Sequence, residues 1–180
     1  NNSAVKAVSE LQSNGKRIVF LSNAPRPTKK VVEFLKKMKM EDRFLKNVLT
    51  SGEAAVNSLK NNKFGLKFYH LGPKRDDSLF SDIKTNKTTL DKCDFILCTG
   101  LFDKQEDNLE YYKDILKDST NKKLICTNPD LVVHRGNVEE LCAGSIARAF
   151  ESIGGEVIYY GKPYKEVYDM CFNHGEKVLA

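Results

Sequence analysis

Residues 18–27 read Ile18-Val19-Phe20-Leu21-Ser22-Asn23-Ala24-Pro25-Arg26-Pro27. The first four are consecutive apolar residues with no alternation, as in a strand covered on both faces of a parallel sheet. A hydroxyl, a carboxamide and two prolines then end the run abruptly. Thr28 follows as a candidate cap for a helix with Val31, Val32, Phe34, Leu35 and Met38 on one side. Upstream, Val5, Val8 and Leu11 repeat at helical spacing until Asn14-Gly15 stops them. Helix, strand, polar loop and helix make half of a βαβ pattern.

The same alternation continues outward. Ser51-Gly52-Glu53 opens a helix through Leu59, and strands are expected over Lys67–Leu71, Cys93–Cys98, Lys123–Cys126 and Val157–Tyr160. Helices are expected over 104–118, over 138–153, where small residues cluster, and from Lys165 to Asn173. Lys177-Val178-Leu179-Ala180 reads as the start of another strand, and residues 74–92 are polar without a period. The class is α/β with a mostly parallel sheet.

The chain has 180 residues, 41% hydrophobic and 29% charged, a globular composition. Lys and Arg number 29 against 24 Asp and Glu, a net charge of +5 spread along the chain. Lys36-Lys37-Met38-Lys39 reads as the solvated side of an amphipathic helix rather than a nucleic-acid patch. No apolar run approaches the roughly 18 residues of a membrane span. The five cysteines form no CxxC pair, which points away from a disulfide scaffold and toward a reducing, cytoplasmic setting.

In parallel sheets, ligands sit beyond the carboxyl ends of strands. Three such loops have unusual polar content. Ser22 and Asn23 can bond phosphate oxygens, Arg26 adds charge, and the following helix offers backbone N–H groups; a plain capped turn is the competing reading. Lys162, between Gly161 and Pro163, is a fixed point charge or a surface lysine. Thr127-Asn128-Pro129-Asp130 is foremost a turn, though it also presents Asn128 and Asp130.

Taken in order, these segments resemble the haloacid dehalogenase (HAD) superfamily, class IIA, the branch of the NagD-type and 4-nitrophenylphosphatase-like phosphatases. Val19–Pro27 looks like its second motif and Val157–Tyr164 like its third. Ser51-Gly52-Glu53 also fits, and Thr127–Asp130 and Cys142–Ala147 resemble parts of its cap. The resemblance implies a Rossmann-like parallel-sheet core with an inserted α/β C2-type cap: core over 1–66, cap over 67–156, and a second core part over 157–180. It implies a Mg²⁺-dependent phosphatase of small phosphorylated metabolites, working through an aspartyl-phosphate. By position, the catalytic roles of the second and third motifs fall on Ser22 and Lys162, with Asn23, Arg26, Asn128 and Asp130 as substrate contacts.

The departure from the family pattern is that no DxD motif follows an apolar strand and no fourth acidic motif is present. Asp76-Asp77 lies in a polar loop and is not taken for the nucleophile. The nucleophile and the Mg²⁺ ligands are therefore expected outside these 180 residues, which alone are expected to be inactive and to expose apolar sheet edges. The alternative is a non-catalytic phosphate-ligand-binding or regulatory protein on the same scaffold. Neither a nucleic-acid nor a membrane partner is expected. Homodimerisation through the cap is an open option. His70 and His174 read as structural, and His134 as a surface residue.

Overall fold

The computed structural model describes residues 2–105 and 107–172. The strand start expected at 177–180, the end of the last expected helix at Asn173, and His174 lie outside the described residues. The elements run α1 (Asn2–Ser13), β1 (Phe20–Ser22), α2 (Thr28–Lys37), β2 (Val48–Thr50), α3 (Ser51–Leu59), β3 (Phe68–Leu71), β4 (Phe95–Cys98), α4 (Leu109–Leu116), β5 (Lys123–Cys126), β6 (Val132–Arg135), β7 (Val138–Leu141), α5 (Ala143–Ser152), β8 (Glu156–Tyr159) and α6 (Lys165–Asp169). Short 3₁₀ turns fill 74–86, broken by non-helical backbone at Phe80 and Ile83.

The fold is mixed α/β. β1 and β2 pair in parallel, and β3-β4-β5-β8 form a four-stranded parallel sheet. Both faces of the larger sheet are covered, which is why its strands are continuous apolar runs. Ile96, Cys98, Leu124 and Cys126 face Ala143, Ile146, Ala147 and Phe150 of α5 and Tyr112 and Leu116 of α4. Phe68, Phe95, Leu97 and Ile125 face Ala54, Ala55, Val56 and Leu59 of α3, Phe80, and Val167 of α6.

The boundary expected at 156/157 falls inside β8, whose hydrogen-bond partner is β5. That strand therefore sits in the sheet of residues 68–126, not in one with β1 and β2. The helix expected over 138–153 is two elements. Val138–Leu141 is a strand, antiparallel to β6 around a tight turn at Gly136 (φ 63°), and the helix begins only at Ala143. Among the described residues, no helix is long and apolar enough to cross a membrane.

Candidate functional site

The carboxyl ends of β1, β3, β4, β5 and β8 open onto one cleft of about 1500 Å³. Ser22, Asn23, Arg26, Asn128, Asp130 and Lys162 all line it, together with Asp76 and Thr99. The six residues singled out in the sequence are thus brought together.

The tie between the two ends of the chain is Asn23. Its carboxamide oxygen accepts the Lys162 N–H at 2.7 Å, and its NH₂ donates to the Lys162 carbonyl at 3.1 Å and to Asp130 Oδ1 at 2.9 Å. Three bonds occupy both ends of the amide, so Asn23 fixes the Lys162 loop against the Ser22 loop across 139 residues of sequence. Gly161 makes the approach feasible. Its φ of 138° suits glycine, and a Cβ there would sit against Pro129 and 2.8 Å from Asn23 Oδ1. Tyr160, buried, anchors the strand end by donating its N–H to the Cys126 carbonyl at 2.8 Å.

Ser22 ends β1 beside Thr50. Its Oγ accepts the Ala24 N–H at 3.3 Å, which leaves the hydroxyl proton free to donate into the cleft. Lys162 is exposed, and among the described residues no carboxylate pairs with its ammonium. Asn128 behaves as its turn sequence predicts: its Oδ1 accepts the Asp130 N–H at 3.0 Å. Asp130 is exposed and engaged by Asn23.

The start of α2 differs from expectation. Its N-cap position is Pro27, without a side-chain cap, and the Thr28 N–H is taken by Glu53 Oε2 at 2.6 Å. That N–H, expected to face a phosphate, is already bound to a carboxylate. Thr50 does two jobs that the sequence reading missed. Its hydroxyl caps α3 by accepting the Glu53 N–H at 3.2 Å, and it donates to the Arg26 carbonyl at 2.6 Å. Gly52 permits the close pass, because a Cβ there would lie 2.7 Å from the Arg26 nitrogen.

Arg26 is half-exposed, with its Nε 4.0 Å from Oδ1 of Asp76, a side chain only 4% exposed. Burial pushes the Asp76 carboxyl above the usual range, while Arg26, the Thr99 hydroxyl and Arg75 pull it down. Behind it, His70 Nε2 lies 2.9 Å from Thr99 Oγ1 and Nδ1 lies 3.3 Å from Asp77 Oδ1. Burial, helped by the Lys87 charge and opposed by Asp77, lowers the His70 pKa to about 4. The sequence reading set Asp76 aside as a polar-loop residue because its stretch has no period; its one signal as a site residue was its place just past the carboxyl end of β3. His134 is exposed and meets Glu139 across the hairpin at 3.5 Å.

Residues 2–85 match the family model described as haloacid dehalogenase-like hydrolase. The structure superposes on a haloacid dehalogenase-like hydrolase from Brucella suis with a TM-score of 0.81 and 27% identity, over 94% of this chain and 63% of that one. Residues 2–85 are haloacid dehalogenase-like in sequence. A 4-nitrophenylphosphatase from Thermotoga maritima shares the fold, with a TM-score of 0.67 and 24% identity over 92% of this chain and 63% of that one. So does a glycerol phosphate phosphatase from Mycobacterium tuberculosis, with a TM-score of 0.67 and 16% identity over 93% of this chain and 49% of that one. No curated protein matches the sequence significantly. The chain spans less than two thirds of the length of those structures. Among its described residues, no group of three His, Cys, Asp or Glu could hold a metal ion.

Proposed function

We propose that the cleft binds the phosphate of a small organic phosphate monoester between the Ser22 hydroxyl and the Lys162 ammonium, and that the intact protein hydrolyses it. The observation that supports this most is the Asn23 carboxamide. It ties the Lys162 loop to the Ser22 loop, so a hydroxyl donor and an unpaired cation line one cleft. Phosphoryl transfer needs little from a protein beyond positioning and neutralising charge on oxygens. Ser22 donates to one phosphoryl oxygen, and Lys162 offsets the charge on the others. Asp130 keeps the Asn23 amide oriented, and Arg26 adds positive charge at the mouth. The phosphatases among the structural neighbours support the same reading.

In this reading the nucleophilic aspartate and the Mg²⁺ ligands lie outside the 180 residues, and no step is assigned to a metal held by this chain. The core comprises β1, β2 and their helices. The cap begins near residue 67 and extends through β8, and it excludes water from the cleft. The five cysteines are all free and buried, which suits a reducing compartment.

The test is phosphate release from a panel of phosphate monoesters by the intact protein. Turnover that requires Mg²⁺, stops with EDTA and weakens in Ser22→Ala is expected. A melting temperature raised by phosphate esters without any turnover would instead favour a non-catalytic binding protein.

A further inference from the structure

Asp76 lines the cleft, yet its Oδ1 is buried without a hydrogen-bond partner among the described residues. Arg26 Nε, at 4.0 Å, is too far to donate to it. The remaining nearby donor is the Thr99 hydroxyl, which has a single proton and two claimants, Asp76 and His70. The proton count settles the competition. Neutral His70 has one N–H and one lone pair. Placed on Nδ1, the proton lies on the ring edge nearer the Asp77 carboxylate, whose Oδ1 is 3.3 Å from that nitrogen, leaving Nε2 to accept from Thr99. The opposite tautomer sets a lone pair against that carboxylate. Thr99 therefore donates to His70, while Asp77, beside the other ring nitrogen, accepts from Lys87 at 3.3 Å. With the Thr99 proton given to His70, Asp76 Oδ1 has no hydrogen-bond donor among the described residues.

An unpartnered, buried acceptor in a ligand cleft calls for a donor from the ligand. Two guanidinium groups, Arg26 and Arg75, already act on Asp76. A further cation would meet their repulsion, whereas a neutral hydroxyl would not. Asp76 shares the cleft with Ser22 and Lys162, and Arg26, 4.0 Å from it, belongs to the Ser22 loop.

We propose that Asp76 is the specificity residue of this cleft, accepting a hydrogen bond from a hydroxyl group on the organic half of the phosphate ester. Hydroxylated alkyl phosphates are then preferred over their deoxy counterparts. The proposal rests on the phosphatase reading above, and its test separates the two.

The experiment compares glycerol 1-phosphate with n-propyl phosphate as substrates of the intact protein, in wild type, Asp76→Asn and Asp76→Val. The expected wild-type kcat/KM ratio favours glycerol phosphate by at least about tenfold, the worth of one buried hydrogen bond. The ratio falls toward one in Asp76→Val, with Asp76→Asn between. Hydrolysis of both esters with a ratio near one in wild type, or with a ratio that Asp76→Asn and Asp76→Val leave intact, overturns the role of Asp76 while sparing the phosphatase reading. Where neither ester is hydrolysed, the phosphatase reading fails instead. The melting-temperature rise with each ester, in wild type and Asp76→Asn, then tests the subsite without turnover. A larger rise with glycerol phosphate that Asp76→Asn diminishes supports it, and equal rises in both proteins refute it.

Discussion

Two buried polar side chains, Asp76 in the cleft wall and His70 behind it, shape the pH dependence of stability. The folded-state pKa of His70 is about 4, against an unfolded value of 6.5. The unfolded chain therefore takes up this proton first as pH falls, and folding loses stability between about pH 6.5 and about pH 4. The full effect is on the order of 3 kcal/mol. Asp76 works in the other direction, because its raised pKa costs stability as pH climbs above 3.8. Urea midpoints should thus fall as pH drops from 6.5 to 4 in wild type, and a His70→Gln variant should flatten that slope. An unaltered slope would mean that His70 is not held neutral. Asn23 gives the second prediction at this scale. Asn23→Ala removes three bonds and frees the Lys162 loop, and a loss of about 1–3 kcal/mol is expected in denaturant unfolding. Both residues illustrate the limits of sequence reading. Asn23 was visible as a polar residue after a strand, but its partners Asp130 and Lys162 are set by tertiary contact alone.

The elements that were legible are those whose local chemistry agrees with their environment. The buried strands β4 and β5 and the small-residue helix α5 follow from apolar runs and from Ala and Gly at a packed face. The hairpin β6–β7 was missed because Val138-Glu139-Glu140-Leu141 spaces its apolar residues as a helix also can. The Gly136-Asn137 pair between two strand-length segments was the available signal for a tight turn. The α2–α3 junction was hidden for another reason: Thr50 and Glu53 are ordinary helix-start residues in sequence, yet they serve the neighbouring segment. Thr50→Val loses both the α3 cap and the bond to the Arg26 carbonyl, and about 1–2 kcal/mol is the expected cost by thermal unfolding. Gly52→Ala should be at least as damaging, because its Cβ would meet backbone at 2.7 Å from the Arg26 nitrogen.

At the scale of the molecule, packing is uneven. The four-stranded sheet is buried on both faces, whereas α1 and α2 contain no buried residue. Phe34 and Met38 of the α2 region are 60% and 65% exposed. Amide hydrogen exchange should be slowest in β4 and β5 and faster by orders of magnitude in α1 and α2, whose opening breaks few apolar contacts. Uniform protection would contradict that division. The cleft lies where the two parallel sheets meet, and Ser22 and Lys162 both line it. The most direct measurement is the kcat/KM of the intact protein for a phosphate monoester, in wild type and in Lys162→Ala. Lys162 is exposed, so its truncation should leave the fold intact. A loss of about 10²–10³-fold is predicted, the usual cost of deleting a group that stabilises transition-state charge. Undiminished hydrolysis in Lys162→Ala would contradict the account.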